Sequence, residues 1–247
     1  TMSFVRLDNY KKLFSNPVFP KYLRNTVVWT VASVIGQLLL GFALALLINQ
    51  KNLRFSTAFR SFLLIPYVVP AVALALVTKW IMNGDYGIVS TWLQSIGVIT
   101  HRQSLLAMPS AAMTTLIIIN IWRSFPFPML IYWAALKGVD RELYEAAYVD
   151  GAGRFKSFIH ITLPYMKDPT IVLAVLRIVW TATYFDLIWM VTGGGPAGST
   201  THLPIMIYQA SFGTFQIGYA SSISVTLGIL LFICVAFYVR KSVASED

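Results

Sequence analysis

Cysteine is almost missing from this chain. Cys234 is its only one, so no disulfide can close within it and no cysteine metal site can be built. Placed inside the last apolar run, that thiol reads as a small buried apolar residue. Charge is sparse too: 12% of the residues are Asp, Glu, Lys or Arg against 57% hydrophobic, and the mean hydropathy is +0.67. Such a composition excludes an ordinary soluble domain and predicts an all-α integral membrane protein. Acidic residues are the scarcer sign, 10 against 19 Lys and Arg, for a net charge of +9. The basic residues are scattered over short connections without a dense run, so membrane topology explains them better than nucleic acid does. His101, His160 and His202 fall in separate loops without metal-ligand spacing, so they are expected to be solvated or interfacial, and no metal site is expected.

Familiar catalytic patterns are missing as well. No GxxxxGK[ST] phosphate loop, HExxH, GxSxG or pair of intramembrane carboxylates occurs, which argues against a nucleotide site in this chain and against an intramembrane enzyme. A channel or stand-alone secondary transporter would be expected to carry an internal helical repeat, and none is visible.

What is present is a series of five apolar runs, at about residues 23–48, 59–82, 105–136, 171–191 and 223–239. Each approaches or exceeds the roughly 20 helical residues that cross a bilayer. Pro66 and Pro70 predict a kink in the second, and Pro109, Pro126 and Pro128 predict tilt or kinks in the third. Residues 1–22 form an interfacial segment in which Phe4, Leu7, Tyr10, Leu13 and Phe14 recur at near-helical spacing, residues 23–241 form the transmembrane domain, and 242–247 a polar tail. Trp92-Leu93 predicts a short interfacial helix between the second and third runs. The run Thr192-Gly193-Gly194-Gly195-Pro196-Ala197-Gly198 lacks the Lys and Ser or Thr of a phosphate cradle and reads as a loop at the membrane surface.

Between the third and fourth runs, residues 140–164 stay polar. There Glu145-Ala146-Ala147 is followed after three residues by Gly151, then after nine by Ile161 and after one more by Leu163-Pro164. Glu145 near a helix start suits the positive end of the dipole, Gly151 turns the chain, and Pro164 is expected to stop the second short helix. This spacing resembles the EAA signature of bacterial ABC importer permeases, and FVRLDNYKKLF and the glycine-proline loop resemble the larger, MalF-like or UgpA-like subunit of carbohydrate importers.

The resemblance implies the type I importer fold, with a sixth, N-terminal helix expected in the intact protein. It also implies that Glu145, Ala146, Ala147, Asp150, Gly151, Leu163 and Pro164 couple to an ATPase. Expected partners are a MalG-like permease, an ATPase dimer that binds ATP and Mg, an extracytoplasmic solute-binding protein and membrane lipid; this chain itself binds no cofactor. With the coupling segment and C-terminus cytoplasmic, most Lys and Arg near the run ends fall on the inner side of a bacterial cytoplasmic membrane. Arg6, Lys11, Lys12, Lys21 and Arg24 are the exception.

Two arginines lie inside apolar runs, where a charge is costly and usually faces a polar cavity or partner. Arg177, Trp180, Thr181 and Tyr184 stand at offsets 0, 3, 4 and 7 on one helical face, although Arg177 could instead snorkel to the cytoplasmic side. Arg123 and Asp186 read either as a structural ion pair or as ligand contacts. By resemblance to the maltose permease, the solute cavity takes Arg177, Trp180, Thr181 and Tyr184 together with Asn120, Ser124 and Phe127. The implied cargo is a sugar or sugar-like solute, with an acidic or phosphorylated one made plausible by Arg177.

Overall fold

The computed structural model describes residues 5–50, 56–99 and 101–243. Phe4, Lys51, Arg54 and the last four residues of the tail therefore lie outside it. The elements run α1 (Asp8–Phe14), α2 (Phe19–Ile48), α3 (Ser56–Val68), α4 (Ala71–Ile81), α5 (Ile88–Ser95), α6 (Ala112–Ser124), α7 (Pro126–Lys137) and α8 (Arg141–Val149). They continue through α9 (Arg154–Ser157), a π turn at Phe158–Thr162, α10 (Leu163–Tyr165), α11 (Lys167–Ala182), α12 (Asp186–Thr192), α13 (Leu203–Tyr208), a second π turn at Gln209–Gly213 and α14 (Ile217–Val243). No strand occurs among the described residues.

Phe19–Ile48, Lys167–Thr192 and Ile217–Tyr238 are each long and apolar enough to cross a membrane, and Ala58–Val68 with Ala71–Ile81 and Ala112–Ser124 with Pro126–Lys137 pass the same test as broken pairs. These match the five apolar runs. The breaks follow the backbone chemistry. Pro70 takes an extended conformation ahead of α4, and Pro126 occupies the first turn of α7, where its missing N–H costs nothing. The last helix begins earlier than its apolar run, at Ile217, and α13 before it went unpredicted.

The described residues group into two compact units. The first comprises Thr1–Ser33, Val69–Asn120 and Ile178–Val235. Its core joins Leu13 and Phe19 to Leu203, Met206, Ala220, Ile223 and Leu227, and α12 packs along α4. The N-terminal segment is fastened to this unit: Lys12 Nζ donates to Gln216 Oε1 at 2.6 Å and Asn16 Nδ2 to the Tyr219 hydroxyl at 3.0 Å. The glycine loop is fastened as well, because Asn25 Nδ2 donates to the carbonyls of Gly198 and Thr201 and Lys21 Nζ to that of Ala197.

The second unit comprises Val34–Val68, Ile121–Arg177 and Ala236–Asp247. Its core is built on Ala45, Ile48, Phe125, Met129, Tyr132, Leu136, Met166 and Leu173. Here α2 and α7 approach closely at Gly41, where a Cβ would meet Pro128 Cβ at 2.8 Å and Met129 N at 2.9 Å.

Two expectations about single residues are overturned. Cys234 is exposed on α14 rather than buried, since an apolar membrane helix can point any of its faces at lipid. His202 is fully buried, while His101 and His160 are exposed as expected.

Candidate functional site

The residues expected to couple to an ATPase all belong to the second unit. Asp140 stands extended before α8, and Glu142 supplies the acid of the first turn. Glu145 is one turn further on, beyond the reach of the helix dipole, so the expected dipole role passes to Glu142. At the other end Gly151 N–H donates to Tyr148 O at 3.0 Å and Ala152 N–H to Ala147 O at 2.8 Å. Those two bonds with a left-handed residue between them make a Schellman cap. Gly151 has φ +77°, which residues with a Cβ rarely adopt.

The helix is held from one side. The Tyr144 hydroxyl bonds the Thr162 hydroxyl at 2.9 Å, and Tyr165 hydroxyl donates to Gly138 O at 3.0 Å. The other side is open: Glu145, Ala146, Asp150 and Gly151 are exposed, and so are Leu143, Tyr148 and Val149, the last two by 80% and 84%. Leu163 and Pro164 are exposed as well. Pro164 does not stop a helix. It sits in the first turn of α10, directly after the π turn in which Leu163 N–H reaches back to Phe158 O. That wider turn shifts the hydrogen-bond register so that the proline's missing N–H is tolerated.

Of the expected solute-contacting residues, Arg177, Ser124 and Phe127 lie in the second unit. Arg177 is only 6% exposed and its Nε donates to Gln37 Oε1 at 2.8 Å, so it is held inside the protein and does not snorkel. Ser124 is buried, and Phe127 stacks on Tyr67 with centroids 6.3 Å apart. Asn120, Trp180, Thr181 and Tyr184 lie in the first unit. Asn120 and Thr181 are buried, whereas Trp180 is 46% exposed. The predicted single face is therefore incomplete. Arg177 and Thr181 point inward, Trp180 points outward, and Tyr184 lies past the end of α11. Arg123 is half-buried and Asp186 exposed.

The break between α11 and α12 leaves its carbonyls short of helical partners, a costly state in a membrane unless other groups satisfy them; Thr181 O keeps one main-chain bond, from Tyr184 N–H at 3.2 Å. Two side chains of the first unit do so. Trp29 Nε1 donates to Thr181 O at 2.9 Å, and His202 Nε2 donates to Tyr184 O at 3.1 Å. The two rings lie edge to face with centroids 6.3 Å apart. Burial pushes His202 down to about 4, against the opposing pull of its bond to Tyr184, so the ring is neutral with its proton on Nε2.

Trp29, Gln37 and His202 were missed in the sequence. A signal for one of them was there: Thr26, Thr30, Ser33 and Gln37 recur at offsets 0, 4, 7 and 11 along an otherwise apolar helix, and all four are buried. Among the described residues the hydroxyls of Thr30, Ser33 and Thr181 find no hydrogen-bond partner. These are polar groups to which a polar solute or water could bind.

The family described as the inner membrane component of binding-protein-dependent transport systems matches residues 37–245, and this chain belongs to it; it is an ABC transporter permease. It is 35% identical to the sulfoquinovosyl glycerol transport system permease SmoG of Agrobacterium fabrum, over 96% of this chain and 76% of that protein. It is 34% identical to the trehalose/maltose transport system permease MalF of Thermococcus litoralis, over 96% and 80%. A chain of a bacterial ABC transporter involved in the import of the acidic polysaccharide alginate superposes with a TM-score of 0.90 at 24% identity, covering all of this chain and 86% of that one. The fold is that of type I ABC importer permeases.

Proposed function

We propose that this permease carries a sugar or sugar-like solute inward, driven by ATP that a partner subunit hydrolyses. The observation that carries the coupling half of this reading is α8, a Schellman-capped helix whose Leu143, Tyr148 and Val149 are left open to solvent. Exposed apolar side chains around a short, capped helix fit insertion into a cleft of a partner, which would surround them. The ATPase dimer, with its ATP and Mg, takes the segment from Glu145 to Gly151. ATP-driven closure reaches the membrane helices through the ties of Tyr144 and Tyr165. A MalG-like permease completes the pore, an extracytoplasmic binding protein delivers the solute, and the coupling segment and C-terminus face the cytoplasm.

On the solute side, relatives named for sulfoquinovosyl glycerol and for trehalose and maltose support a glycoside. Arg177 is the group that would pair with an acidic or phosphorylated substituent, and the hydroxyl of Thr181 would meet sugar hydroxyls. Alternating access requires the solute to bind the two orientations of the pore with different free energies.

The test is ATP hydrolysis by the complex purified through this chain and reconstituted in lipid, with candidate sugars and their binding protein added. Stimulation by one loaded binding protein, abolished by Gly151→Asp, is the expected result. A folded chain that retains no ATPase subunit would overturn it.

A further inference from the structure

Apart from the coupling helix and the solute-facing residues, the second unit holds a cavity of about 560 Å³. It opens where the end of α2, the start of α3, the end of α7 and α8 come together; its charged lining is Arg60, Lys137, Arg141 and Glu145, and Asn49, Gln50, Trp133 and Tyr144 add polar atoms. Three cations thus surround it against one carboxylate. Arg60 lies over the Trp133 ring at 4.5 Å and Lys137 over the same ring at 5.7 Å, so one indole fixes two positive charges at the wall. Among the described residues Glu145 makes no ion pair with Lys137 or Arg141. Trp133 Nε1–H is buried without an acceptor among the described residues.

We infer that this cavity binds the phosphate headgroup of an anionic phospholipid. Guanidinium forks match phosphate oxygens bidentately, and an ammonium adds a point charge. The position favours a lipid over a soluble phosphate. Trp133 and Lys137 occupy the last two turns of an apolar spanning helix, at the level where tryptophan and basic residues meet headgroups. Arg60 stands at the start of the apolar stretch of α3, so it too lies near the end of a spanning segment. Basic pockets at helix ends are the usual way in which membrane proteins hold such lipids. Because Glu145 belongs both to this wall and to the coupling segment, an occupied cavity would stiffen the base of α8.

The experiment is native mass spectrometry of the importer complex isolated through this chain, titrated with phosphatidylglycerol or phosphatidylcholine. The wild-type complex is expected to retain phosphatidylglycerol selectively, and Arg141→Gln, an exposed position that threatens no core, should weaken it about fivefold. Arg60→Gln with Lys137→Gln should weaken it further, while Lys79→Gln in the other unit leaves it unchanged. Equal retention by wild type and Arg141→Gln would overturn the inference. So would full displacement by inorganic phosphate, which would assign the cavity to a soluble anion. Loss of the ATPase subunit from Arg141→Gln with lipid retention unaltered would make the wall part of the ATPase seat instead.

Discussion

His202 Nε2 donates to the main-chain carbonyl of Tyr184 at 3.1 Å, and by doing so it closes the gap left where α11 gives way to α12. An imidazolium could keep that bond, but it would place a charge in a fully buried site. The ring is therefore held neutral, with a folded value of about 4 against the ordinary 6.5. Because the folded value is depressed, the unfolded chain takes up the proton first. The stability that His202 contributes is thus fully present above about pH 6.5, falls as the pH drops towards about 4, and is gone below that. Thermal unfolding of the wild type in detergent across this window should show the decline, and His202→Gln should flatten it.

Trp29→Phe removes the indole donor to Thr181 O together with part of the ring volume at a fully buried site. Thr181 O keeps its bond from Tyr184 N–H, so the lost hydrogen bond costs about 0.5–1.5 kcal/mol, to which the unfilled space adds, and the melting temperature should drop measurably. Trp80→Phe, at a position 57% exposed, should not move it.

At Gly41 a side chain would press on Pro128 and on the Met129 backbone nitrogen. Rigid backbone atoms cannot step aside as a flexible side chain can. Gly41→Val is expected to destabilise the second unit by about 1–3 kcal/mol or more, read as lower yield and a lower melting temperature, while Gly228→Val, with nothing within 4 Å, is tolerated.

Gly151→Ala tests backbone conformation without adding bulk, since nothing lies within 4 Å of the added Cβ. The left-handed φ should cost about 1–2 kcal/mol. The chain should still fold, with weaker ATPase retention in pull-down, and Gly151→Asn should recover most of it because Asn tolerates this conformation.

The membrane class and the five apolar spans were legible because long apolar runs with proline interruptions leave few alternatives. The polar segment 140–164 was legible as spacing, and Gly151 took the turn expected of it. Other features needed three dimensions. His202 looks like any loop histidine, and its surroundings are made by Trp29 and Tyr184, both earlier in the chain and neither marked by the sequence as its neighbour. Trp180 shares a helical stripe with Arg177 and Thr181, yet the stripe does not say where protein ends and lipid begins. Pro164 carries an ordinary helix-stop signal, which the preceding π turn cancels. The polar stripe Thr26–Thr30–Ser33–Gln37 could have been read directly, by applying to the first run the same offsets that picked out Arg177.

The first unit's core pairs Leu13 and Phe19 with side chains from Leu203 onward, and Lys12 meets a residue 204 positions later. The packing of α1 is therefore completed only once the residues from Leu203 to Leu227 have been made. Until then part of its apolar side stays uncovered while the helices between are inserted. Such late closure is slow and exposes the chain to misassembly. Substitutions at Leu13 or Asn16 would accordingly be felt by the insertion and quality-control machinery before they were felt by transport.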